Sequence, residues 1–223
     1  MQLISTLINH LLTYLAAKFP AIDIAFALSA TGISADKTYK LMKDTIELIV
    51  DKYGMGSMRY SFIPYSDSAN INIKFSEKYP SLEDLKAAIK ALLPVSGGSN
   101  LPGALTAAKE AFEDSGVRKD ATHVLVVITD KRSGASEDDI KKAAKPLQES
   151  GIVVIPVAIG NQVNAQELGS TTSDKKNVIS VGVEEDPQNL MEMIMAKING
   201  MAQLDFVKMQ NPVDQFKITI ILD

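Results

Sequence analysis

The chain has 223 residues, 46% of them hydrophobic and 22% charged, a balance that suits one sizeable α/β domain with a filled core. A net charge of −4, with no basic stripe carrying interleaved aromatics, argues against a nucleic-acid partner. No apolar run approaches the ~20 residues of a membrane span, and the lack of cysteine removes disulfides, thiolate metal ligands and a cysteine nucleophile together.

The first residues lack the basic start and small-residue cleavage pattern of a signal peptide, so a secreted parent would contain this chain as a fragment. Residues 2–19 place Leu3, Ile4, Leu7, Ile8, Leu11, Leu12, Leu15 and Phe19 on one stripe, the pattern of an amphipathic helix that Pro20 stops. Ile22–Leu28 is a short apolar run bounded by Pro20 and Gly32, which reads as a buried strand. The turn after it, Ser29-Ala30-Thr31-Gly32-Ile33, puts small hydroxyl side chains where the strand gives way to a helix from Ser34 to Tyr53. That edge of an open α/β sheet is where ligands bind.

Next, Met58–Ile63 and Ile71–Phe75 flank the turn-rich Tyr65–Asn70, so a hairpin is expected whose second member is an antiparallel edge strand. Ser81-x-x-Asp84 reads as a capping box for a helix that runs to Leu93. The loop Ser96-Gly97-Gly98-Ser99-Asn100 precedes a helix from about Pro102 to Glu113. The apolar strand Val124–Thr129 then runs into Asp130, followed by a charged helix over Ser136–Glu149 and a buried strand over Ile152–Ile159. A helical turn at Asn164–Leu168, a strand at Val178–Val181 and a helix from Asp186 to about Ile198 complete the domain. Beyond Gln203, Leu204–Met209 and Phe216–Leu222 read as strand-like runs around Asn211-Pro212.

The alternation implies a doubly wound, mostly parallel central sheet with one antiparallel edge strand and helices on both faces, in an α/β, Rossmann-like arrangement. It also implies three segments: an N-terminal amphipathic extension over 1–20, a domain over 21–200 and a strand-forming extension over 201–223.

Four stretches carry a family resemblance in order and spacing. They are Asp23-Ile24-Ala25-Phe26-Ala27-Leu28, Tyr65-Ser66-Asp67-Ser68-Ala69, Gly97-Gly98-Ser99-Asn100 and Val126-Val127-Ile128-Thr129-Asp130. From about Ile22 to Ile198 the chain resembles the von Willebrand factor A domain of integrins and matrix proteins. In that family Asp-x-Ser-x-Ser, a Thr from a Gly-rich loop and a distant Asp form a metal-ion-dependent adhesion site, at which a partner's carboxylate completes the shell of a hard dication. The resemblance places Ser29, Thr31, Ser99 and Asp130 on that site, with Ser29 in place of the first Asp, Thr31 and Ser99 exchanging hydroxyls, and Ile33 in place of a ligand. One carboxylate remains, and Lys131, beside it, is a cation that could pair with Asp130. The site is thus read as degenerate, with no cofactor expected and at most weak Mg²⁺ or Mn²⁺ binding.

Enzymatic readings find little footing. Gly97-Gly98-Ser99 lacks the Lys-Ser/Thr of a phosphate loop, no Gly-x-Gly-x-x-Gly follows the first strand, and His10 and His123 have no Ser–Asp partners at recognisable spacing. Met191, Met193 and Met195 read as core filler. The expectation is a non-enzymatic protein-binding or adhesion module, independent of bound metal, that engages matrix or cell-surface proteins outside the cell as part of a larger protein. The alternative is a self-assembling unit whose N-terminal helix and C-terminal strands make homo-oligomer contacts.

Overall fold

Five parallel strands form one sheet in the order β2-β1-β3-β4-β5. In the computed structural model, which describes residues 21–29, 35–94 and 97–210, β1 is Ile22–Ser29 and β2 is Met58–Tyr65. The remaining strands are β3, Thr122–Thr129, β4, Val153–Ile159, and β5, Ile179–Val181. Helices α1 (Ala35–Tyr53), α2 (Leu82–Ala91), α3 (Leu101–Ala111), α4 (Glu137–Glu149), α5 (Ala165–Gly169) and α6 (Pro187–Gln210) connect and cover them. The expected N-terminal helix, Thr31, Ile33 and the run Phe216–Leu222 lie outside the described residues.

The period of two along each strand divides the core. Ile24, Phe26 and Leu28 of β1 join Phe62 of β2, Val126 of β3 and Val157 of β4 under α1, α2 and α6. Phe26 and Phe62 stack there with ring centroids 5.5 Å apart. Truncating Phe26 to Ala would remove ~3–5 kcal/mol of packing. On the other face, Ala25 and Ala27 meet Ala104, Ala108 and Ala111 of α3, so small side chains on both partners let this helix sit close to β1. Met191 and Met195 are buried as expected, whereas Met193 is exposed.

Local signals set several helix starts. Ser81 accepts from the Asp84 amide, and Ser136 accepts from the Asp139 amide, each covering a donor that the first turn leaves unpaired. Asn100 does the same for Gly103 at the start of α3.

Two expectations fail. The antiparallel edge strand is not formed: residues 71–75 make one isolated bridge to β2, Phe62–Ile73, and the preceding turn makes another, Tyr65–Ala69. Pro64 has no N–H to extend the pairing upward, and below it the Glu77 amide closes a turn onto the Lys74 carbonyl at 3.1 Å, leading the chain away. The sheet is therefore parallel throughout. Leu204–Met209 is helical rather than strand-like, because α6 runs to Gln210. Nothing after Gly200 breaks the helix before Asn211-Pro212.

Candidate functional site at the carboxyl edge of the sheet

Parallel registry brings the ends of three strands together. Ser29 ends β1 opposite Tyr65 of β2, and Leu28 lies opposite Ile128, one residue before Thr129 and two before Asp130. Ser29 donates its hydroxyl to Asp130 Oδ1 at 3.1 Å. Two of the residues predicted for the site thus meet directly across 101 positions of sequence. Burial pushes the Asp130 carboxyl above its ordinary pKa; the Ser29 bond, its own amide and the Lys131 charge pull downward without cancelling that penalty.

A second wall comes from the loops after β2 and before α3. The Gly98 amide donates to Asp67 Oδ1 at 2.6 Å, the Asn100 side chain donates to the Asp67 carbonyl at 3.0 Å, and the Asn100 amide donates to the Ser66 carbonyl at 2.7 Å. The close approach favours glycine, and the backbone requires it at Gly97. A Cβ on Gly97, at φ +140°, would stand 2.5 Å from Asp67 Oδ2, and one on Gly98 would stand 2.7 Å from Oδ1. Asp67 is therefore a clasp between loops.

This clasp carries Ser99 to the site. Ser99 is 5% exposed and its hydroxyl has no hydrogen-bond partner. Beneath it the fully buried Tyr65 hydroxyl also lacks a formed bond, although the Thr129 and Ser99 side chains stand beside it. Burial raises the Tyr65 phenol to about 12, so it is neutral and available as a donor. Lys131 does not pair with Asp130 as expected; its Nζ reaches the Gly97 carbonyl at 3.2 Å, spanning the mouth between the two walls. The Thr129 hydroxyl fixes that turn by donating to the Lys131 carbonyl at 3.0 Å.

The described donors are one carboxylate and hydroxyls, with an ammonium alongside. A hard dication favours several anionic or carbonyl oxygens, and among the described residues no three His, Cys, Asp or Glu side chains converge on one point. This set suits a divalent ion poorly.

Sequence reasoning misses the clasp made by Asp67 and Asn100, although both lie in the stretches that carry the family resemblance. It also misses what Asp23 does at the opposite edge. There the carboxylate, 0% exposed, accepts from Arg118 Nη2 at 2.6 Å, Nε at 2.8 Å and the Arg118 amide at 2.6 Å. The same guanidinium donates to the Ile22 and Ser57 carbonyls. His123, read as having no catalytic partners, contacts the Arg118 carbonyl through Nε2 at 2.8 Å and packs on Phe112.

The comparisons agree with this architecture. The family profile of the von Willebrand factor type A domain matches residues 23–195. The mouse collagen alpha-4(VI) chain is 27% identical over 179 residues, covering 79% of this chain and 8% of that protein. Human matrilin-1 is 27% identical over 207 residues, covering 82% of this chain and 41% of that protein. The chain thus spans less than half the length of these relatives. Among solved structures, proximal thread matrix protein 1 from the mussel byssus superimposes with a TM-score of 0.67 at 24% identity, over 78% of this chain and 46% of that one. A second structure of that protein, described as having a zinc-occupied metal-ion-dependent adhesion site, gives 0.66 at 23% identity over 78% and 45%. With the family profile covering most of its length, the chain belongs to the von Willebrand factor type A domain family.

Proposed function

We propose that this chain is a non-enzymatic protein-binding module of the adhesion type whose binding does not depend on a metal ion. The observation that carries the reading is the pairing at the site. The one carboxylate, Asp130, accepts from Ser29, while the neighbouring cation, Lys131, bridges to the Gly97 carbonyl and adds positive charge beside it. Neutral hydroxyls at Ser29, Thr31 and Ser99 do not replace a missing anion. The Ser99 hydroxyl, together with the Lys131 ammonium, offers donors to an acidic or polar group of a partner protein.

The relatives named collagen and matrilin support a matrix partner, and a location outside the cell within a larger protein. Among the described residues no helix is long and apolar enough to cross a membrane. The segments 1–20 and 201–223 are proposed as extensions of a domain over 21–200, with α6 continuing across the second boundary.

The test is solid-phase binding of the chain to a panel of purified matrix proteins, in Mg²⁺ and in EDTA, beside Lys131→Glu. Binding that survives EDTA and falls at least about ten-fold in the charge-reversed variant, a loss of ~1.4 kcal/mol, is the expected result. Binding abolished by EDTA would overturn the metal-independent reading. A second reading, self-assembly, is favoured by one feature: an unpaired length of the β2 edge.

A further inference from the structure

The outer edge of β2 presents main-chain groups that nothing in the described chain satisfies. Ile22 donates to the Ser57 carbonyl at 3.0 Å, which turns the odd-numbered residues of β2 toward β1 and the even-numbered ones outward. Phe62 uses its outward groups on Ile73 and Asn72, and the Pro64 carbonyl accepts from Asn70. Met58 and Tyr60 remain. Among the described residues no bond reaches the outward N–H or C=O of either, although they are only 3% and 5% exposed. Unpaired main-chain groups along a sheet edge are a template for pairing with another chain.

These groups line a cavity of about 610 Å³. Tyr79 and Leu85 contribute to it from one face of the sheet, Arg59 and Ser115 from the other, and the segment from Phe75 to Lys78 lines it as well. An extended strand matches this chemistry, because its alternating N–H and C=O groups pair with the edge and its side chains enter the cavity.

We propose that the run Phe216-Lys217-Ile218-Thr219-Ile220-Ile221-Leu222 of a second copy of this chain pairs with the free part of the β2 edge at Met58 and Tyr60, its remaining residues extending beyond that edge. The proposal rests on the self-assembly reading above and gives it a site. The run is β-branched and apolar along most of its length, which favours a paired strand. The path of α6 makes the contact intermolecular. Gly200 lines a cavity with Val153, the first residue of β4, so residues 201–210 carry the helix ~15 Å past the strands' amino edge. The link 211–215 spans at most ~21 Å. Returning to that edge and crossing from β4 to the position outside β2, four strand spacings of ~4.8 Å, needs more than that even in a straight line. No length is left to pass around α1, which packs beside α6. Each chain therefore offers one groove and one strand to other copies, so that two chains can exchange strands or a series can propagate head to tail.

The experiment is sedimentation velocity on the full 223-residue chain from low to high micromolar concentration. The parent and Ile220→Val should associate, with mean mass rising at least about two-fold. Ile220→Pro removes a strand donor, and Ser115→Trp fills the groove from an exposed position; each should stay monomeric. Mixed one to one, these two should form a heterodimer, since one keeps the groove and the other keeps the strand. Association of Ser115→Trp as strong as the parent's would overturn the groove while leaving self-assembly through another surface. A mixture that stays monomeric would overturn the strand–groove pairing, and a parent that stays monomeric would overturn both that pairing and self-assembly.

Discussion

The two edges of this sheet hold buried or half-buried carboxylates in opposite ways. At the amino edge, Asp23 is surrounded by donors: three from Arg118, whose guanidinium also ties down the Ile22 and Ser57 carbonyls. At the carboxyl edge, Asp130 has one hydroxyl from Ser29 and a carboxyl pushed upward by burial, with unpartnered hydroxyls of Ser99 and Tyr65 nearby. A fully paired charge holds a fold in place, whereas an incompletely paired polar cluster keeps capacity for something outside the chain. The same side chain is a bolt at one end and, on the reading proposed above, part of a binding site at the other.

The largest effect should come from the bolt. Arg118→Ala leaves a buried carboxylate without its partner and should cost ~3–5 kcal/mol, read by denaturant unfolding; a loss below ~1 kcal/mol, the scale of an exposed pair, would erase the contrast between the edges. Next is the clasp that holds the second wall at the carboxyl edge. Gly97→Ala forces a side chain into the Asp67 carboxylate at a left-handed φ, and should cost ~1–3 kcal/mol in the same assay. Asn100→Ala removes the cap of α3 and the bond to Asp67, with an expected loss of ~0.5–2 kcal/mol.

The smallest effect is the most diagnostic of the carboxyl edge. Because the folded Asp130 holds its proton more tightly than the unfolded chain does, its contribution to stability falls as pH rises from the ordinary carboxylate pKa through the raised one. Asp130→Asn should flatten that part of the stability–pH curve and slightly stabilise the protein at neutral pH. A shallower acid-side loss in the variant than in the parent would mean that the carboxylate is instead held ionised.

Much of this is legible in the sequence, for physical reasons that also mark where reading stops. Val124–Thr129 is an unbroken apolar run ending in a polar residue, and only a strand buried on both faces needs that pattern. Ser81 and Ser136 announce their helices through local bonds three residues long. Residues 71–75 alternate as an edge strand should, yet Pro64 and the turn at Lys74 decide the pairing, and alternation does not encode them. Leu204–Met209 carries enough β-branched and aromatic character to suggest a strand, while a helix already running needs a breaker to stop it, so α6 extends past the expected end. Ser29 and Asp130 are placed together by resemblance, and the registry of β1 with β3 accounts for their meeting. Arg118 is invisible as the partner of Asp23, since the two lie 95 positions apart and only the folded sheet edge joins them.

The most direct measurement is thermal unfolding of the full chain with excess Mg²⁺, Mn²⁺ or EDTA, beside Asp130→Ala and a variant with the family's donors restored, Ser29→Asp with Ile33→Ser. A ligand that binds only the folded state raises the melting temperature. No shift in the parent, and a Mg²⁺-dependent rise in the restored variant, is the predicted result. A metal-dependent rise in the parent that disappears in Asp130→Ala would contradict metal-independent binding.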